Sequence, residues 1–178
     1  MARASRAVVS AGASSCGTSK STWLSWPESE STEHTYRLEQ RGTRSLGDLG
    51  TTVSVAFTFR SAAVDQKTAL PVMVVGYPAD LGRDNAARPG STLRLPVRIQ
   101  RQAGSPDIPV DTLTVEASYD DGATWQPTGV RRGHAGRWSA LVHHPRRAGC
   151  VSLRATAADA DGNQVEQTVI HAYQLRRN

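Results

Sequence analysis

The chain has 178 residues, 38% of them hydrophobic and 6% aromatic, which is long enough to bury a core but lean in the side chains that fill one. Its 21 Lys and Arg against 16 Asp and Glu give a net charge of +5, and the excess is spread, with 10 basic and 8 acidic residues in 1–90 and 11 and 8 in 91–178. No basic run alternates with aromatic residues and no apolar stretch reaches about 18 residues, so the composition points away from nucleic acid and from a membrane-spanning helix.

Residues 1–33 are rich in Ser, Ala, Thr and Gly without periodicity, and are expected to be a disordered or non-native leader. Arg3 and Arg6 precede a small apolar run, as in a signal peptide or a lipid-attachment site at Cys16. That run is short and is broken by Ser10 and Gly12, so no signal peptide is expected in this chain. Gly17-Thr18-Ser19 matches part of the nucleophile segment of subtilisin-like peptidases, but Lys20 and Ser21 stand where Met-Ala belongs. No partner His or Asp motif accompanies it, and a serine without a base is a weak nucleophile, so no catalytic residue is assigned.

Period-2 patterning begins after the leader. Residues 34–77 offer three strands: 35–40, 53–60 with Val53, Val55, Phe57 and Phe59 on one face, and the more apolar 70–77. Three strands are few for an independent domain, so this partial β module either adds to a neighbouring sandwich or is half of a second one. Residues 78–91, with two prolines and two glycines, read as a linker.

The segment 92–176 carries strands at regular spacing. Residues 93–100 alternate Leu93, Leu95, Val97 and Ile99 with polar residues, and Pro96 on the outward face suggests an edge strand. Residues 112–119, 124–127, 137–143, 150–157 and 165–175 follow, the fourth of them burying Val151, Leu153, Ala155 and Ala157. No window carries a helical apolar stripe. The expected fold is all-β, an antiparallel β-sandwich of immunoglobulin or fibronectin III kind.

Two loops invite a functional reading. In Ser118-Tyr-Asp-Asp-Gly-Ala-Thr-Trp125, Asp120 is suited to accept from backbone N–H groups and Gly122 to supply a positive φ, a structural turn that needs no ligand. Trp125 and Trp138 are expected as core anchors, so that Trp125→Ala would cost about 3 to 5 kcal/mol. In Asp159-Ala-Asp-Gly-Asn163, the residues Asp159, Asp161 and Asn163 have the alternating oxygen spacing of a calcium loop. The downstream bidentate acid is missing, so these are weak calcium candidates, and Asp161 with Gly162 is expected to form an ordinary turn; no cofactor is expected. His143 and His144 are adjacent and must face opposite sides of a strand, while His134 and His171 lie apart from them. Cys150 is expected as a small buried hydrophobe rather than a disulfide partner of Cys16.

The turn at 118–125 resembles the Asp-box hairpin of sialidases and other secreted β proteins, here in a single copy. Residues 57–61, 70–75, 93–106, 115–125 and 148–175, taken in order, resemble the C-terminal region of large secreted subtilisin-like (S8 family) serine peptidases. The resemblance covers about residues 35–175 and implies a non-catalytic accessory module, extracellular, with the peptidase's catalytic domain as its partner. The family's catalytic residues lie upstream of the matching region, so none is carried onto this chain. The alternative is a polysaccharide- or cell-wall-binding β-sandwich of another extracellular enzyme, using exposed aromatic side chains.

Overall fold

A computed structural model describes residues 5–10, 33–45, 47–62, 64 and 68–177. Twelve strands are present among them: β1 (Ser5–Ser10), β2 (His34–Thr43), β3 (Thr52–Ser61), β4 (Met73–Gly76), β5 (Ala86–Ala87) and β6 (Thr92–Arg101), then β7 (Val110–Ser118), β8 (Gln126–Pro127), β9 (Gly129–Arg132), β10 (Trp138–His143), β11 (Gly149–Asp159) and β12 (Gln164–Leu175). The single helical turn among the described residues is a 3-10 turn at His134–Gly136. The all-β class expected from the alternating pattern is what forms.

Strands run in the order β1-β2-β3-β12-β11-β7-β8 in the larger sheet, with β5 added beside β12, and β4-β6-β10-β9 in the smaller. Pairing is antiparallel except for β1 with β2 and β5 with β12. The two sheets share one core. Phe57, Leu113, Val115, Val151, Leu153, Ala155, Ala157 and Val165 come from the larger, and Met73, Val75, Leu95, Val97, Ala140 and Val142 from the smaller. Alternation along each strand produces this, because every second side chain faces the opposite sheet. At roughly 25 cal/mol per Å² of apolar area removed from water, each fully buried Val or Leu contributes about 1.5 to 3 kcal/mol.

Residues 34–77 supply strands to both sheets: β2 and β3 pair alongside β12, and β4 pairs with β6. Within 78–91, Ala86 and Ala87 run parallel to Gln174 and Leu175, and Ala87 is buried in the shared core. In the stretch expected to be an unpatterned leader, β1 pairs with β2 from Ser5 opposite Tyr36 to Ser10 opposite Arg41. Its Ala7-Val8-Val9 run has the β-branched content that a pleated surface favours. The rest of 1–32, including Cys16 and the Gly-Thr-Ser at 17–19, lies outside the described residues.

One strand assignment needs correcting. Pro96 suggested an edge, yet β6 lies between β4 and β10. The proline is tolerated because β4 ends at Gly76, opposite Arg98, which leaves β6 without a partner on that side at Pro96. Its missing N–H therefore costs no ladder bond.

Candidate functional site

The turn after β7 is held by its own side chains. Asp120 Oδ1 accepts from the Ser118 hydroxyl at 2.7 Å and from the Thr124 N–H at 2.8 Å, and Oδ2 accepts from the Thr124 hydroxyl. Ser118 Oγ in turn accepts from the Gly122 N–H at 2.9 Å. Asp121 and Gly122 both have positive φ, 59° and 89°, and the Ala123 N–H donates to the Asp120 carbonyl, the pattern of a type I′ hairpin turn. These hydrogen bonds, those from Thr124 above all, hold the Asp120 carboxyl at about 2, below its ordinary value. The charge of Asp120 is spent on the loop that carries it.

Trp125 is not a core anchor. Its ring is half-buried on the outer face of the larger sheet, where a Cβ added to Gly122 would lie 3.2 Å from Trp125 Cζ2 and 3.1 Å from Ile170 Cδ1. The Arg154 guanidinium sits 4.7 Å from the ring centroid and is fixed by Glu116 at 2.6 Å. The hairpin folds its tryptophan back over the outward residues of β11, so the ring covers the sheet rather than entering the sandwich. Trp138 does pack against the core, with the Arg132 guanidinium 5.4 Å from its ring centroid.

In the loop after β11, Asp159 turns inward, where its side chain is 0% exposed. Oδ1 accepts from the Asp161 N–H, the Asn163 N–H and Asn163 Nδ2, and Oδ2 from Asn163 Nδ2 and from Arg101 Nη2 at 3.1 Å. Asn163 Oδ1 faces the Arg60 N–H, Gly162 takes φ of 80°, and Asp161 is exposed. The three proposed calcium ligands therefore do not converge: one is neutralised by Arg101, one turns its amide N–H toward that same carboxylate, and one faces solvent. No group of three or more His, Cys, Asp or Glu side chains is placed to hold a metal ion among the described residues.

The adjacent histidines do face opposite ways, His143 exposed and His144 buried. His144 packs edge-on against Tyr119 and Tyr173, and burial, then the neighbouring His143, pushes its pKa down to about 4. His134 begins the 3-10 turn. His171, with a positive φ of 56°, sits where two extra residues of β12 bulge between the pairs Val151–Tyr173 and Leu153–Val169. Its Nε2 lies 2.6 Å from Asp121 Oδ1 and its Nδ1 3.1 Å from the Asp48 carbonyl, tying the 118–125 turn to the loop between β2 and β3. Cys150 is half-buried, and burial followed by the charges of Asp121 and Asp48 raises its thiol pKa, the opposite of what an activated thiolate needs.

The His171 clamp and the Arg101–Asp159 pair were not singled out in the sequence. Nothing in local spacing could have shown them, because each joins residues at least 50 positions apart in the chain. No family model, no curated protein and no solved structure matches this chain.

Proposed function

We propose that this chain is a non-catalytic accessory module, a β-sandwich that packs against or spaces out the catalytic domain of a secreted subtilisin-like serine peptidase. One observation carries the non-catalytic part: the polar groups that looked most like a site, Asp120 and Asp159, have their oxygens engaged by the loops that hold them. A general base or metal ligand needs lone pairs free for a substrate or a metal ion, and these are directed at backbone N–H groups, at the Ser118 and Thr124 hydroxyls, at the Asn163 amide and at Arg101. The link to a peptidase, the extracellular setting and the kinship of the 118–125 turn with the Asp-box rest on the sequence resemblance.

The rival reading, a polysaccharide-binding module, needs tryptophan faces free to stack on sugar rings. Trp125 and Trp138 each have an arginine over the ring, which favours the first reading.

The test is to add the purified chain to a purified subtilisin-like catalytic domain. The expected result is a higher melting midpoint of the peptidase domain and no peptide cleavage by the chain alone. Inhibitor-sensitive cleavage by the chain, or retention on insoluble glycans with no effect on the peptidase, overturns the proposal.

A further inference from the structure

The two outer faces of the sandwich differ in how their charges are met. On the larger sheet, Arg154 pairs with Glu116 at 2.6 Å, and Arg37 pairs with Glu39 at 2.9 Å and Glu166 at 3.0 Å. The four strands of the smaller sheet contain no Asp or Glu at all. Leu95, Val97, Ala140 and Val142 are buried, so the alternate residues Arg94, Pro96, Arg98, Ser139 and Leu141 point outward.

Register gathers the arginines. Ser139 is opposite both Pro96 and Arg131, and Leu141 is opposite Arg94. Trp138 pairs with Val97, which places Arg137 beside Arg98. Arg94, Arg98, Arg131 and Arg137 are all exposed, and none forms an ion pair among the described residues. Four uncompensated charges on one face compare with a net charge of +5 for the whole chain. Pro78, Arg94, Pro96, Arg98, Arg137 and Ser139 line an open groove of about 690 Å³ there, formed where β4 stops short of Pro96.

We infer that the outer face of the smaller sheet is a docking surface for an acidic protein surface. Charge complementarity names the sign of the partner: guanidinium groups presented side by side bind carboxylates through paired N–H donors. Apolar side chains among them name its class. Leu141 is 38% exposed and Val74, on β4, 40%, with Pro96 between the arginines. Arginine interspersed with apolar contacts is the composition of a protein interface. A nucleic acid or a glycan calls for several free aromatic platforms, and this groove offers one, Trp138, whose ring already has the Arg132 guanidinium 5.4 Å from its centroid. The inference rests on the reading of the chain as an interaction module, but not on the partner being a peptidase.

The experiment measures binding of the full chain to fluorescein-labelled poly-L-glutamate and to a glutamate–leucine copolymer of the same mean length, with polygalacturonate and single-stranded DNA as competing probes. Saturable binding is expected, tightest for the glutamate–leucine copolymer and weakening as salt shortens the Debye length below about 8 Å. Arg94→Glu with Arg98→Glu should weaken it at least about tenfold. Arg83→Glu with Arg88→Glu, exposed positions outside the smaller sheet, changes net charge equally and should leave binding within about twofold. Leu141→Thr should erase the preference for the leucine-containing polymer. No saturable binding, equal losses from the two charge-reversal pairs, or tighter binding of polygalacturonate or DNA overturns the inference. Stabilisation of a peptidase domain without copolymer binding would sink this surface and leave the accessory role standing; copolymer binding without stabilisation would do the reverse.

Discussion

Gln167 on β12 and Val75 on β4 meet across the sandwich: Gln167 Nε2 donates to the Val75 carbonyl at 2.6 Å, and Gln167 Oε1 accepts from the Val75 N–H at 3.1 Å. β4 has only β6 as a strand neighbour, so one side chain from the other sheet satisfies backbone groups that a further strand would have taken. Both residues are buried.

Gln167→Leu fills the space but strands both Val75 groups, and should lower unfolding free energy by about 2 to 3 kcal/mol. Gln167→Glu keeps the acceptor and supplies the donor only when protonated, so its deficit should shrink as pH falls. Denaturant melts of the two variants across acidic and neutral pH check both expectations.

Asp159 and Arg101 form a pair whose carboxylate is fully enclosed. Asp159→Ala leaves the Arg101 charge and the N–H groups of Asp161 and Asn163 without their acceptor, and should cost about 3 to 5 kcal/mol. Because Arg101 already neutralises this carboxylate, added calcium should leave the wild-type melting midpoint where it is. A calcium-dependent rise in that midpoint would count against the turn reading of 159–163.

Acid should act on the fold through two separate groups. Asp120, held at about 2 against an ordinary 3.8, contributes stability that is complete above the ordinary value and is lost as pH falls through the folded one. Buried His144, held at about 4 against 6.5, binds its proton more readily in the unfolded chain, so stability declines as pH drops from about 6.5 toward about 4. In melts followed by circular dichroism, His144→Phe should flatten the upper window and Asp120→Asn the lower one.

Trp125→Ala should cost about 1 to 2 kcal/mol, less than a core tryptophan, since the ring is half-buried against Gly122, Ile170 and Arg154. Trp138→Ala, which removes a ring packed against the core, should cost more. Chemical denaturation of the two variants side by side gives the comparison.

Alternation made most of the fold legible. Leu95, Val97, Leu113, Val115, Leu153 and Ala155 are buried where a period of two puts them. The turn at 118–125 was equally readable, because Asp120 and Gly122 act on neighbours within a few residues. What local sequence left hidden was which strands neighbour one another. Trp125 looked like a core residue because its hydrophobicity is visible in the sequence and the face it covers is not. Pro96 misled for the same reason, since an edge depends on where β4 happens to end. Arg94 and Arg98 were visible as outward residues of β6, but their company with Arg131 and Arg137 exists only through the register of β10 and β9.

The position of β12 sets the order of events when the chain is made. β12 is the last strand among the described residues, yet it lies inside the larger sheet between β3 and β11. During synthesis β2 and β3 emerge early as a hairpin with one long edge open, and that edge has no partner until Gln164 to Ile170 leave the ribosome. Completion of the larger sheet therefore waits for β12 and is rich in distant contacts, which slows it. Through that interval Phe57, which pairs with Val165, has no strand beside it on that edge, and the open edge is exposed to pairing with other chains.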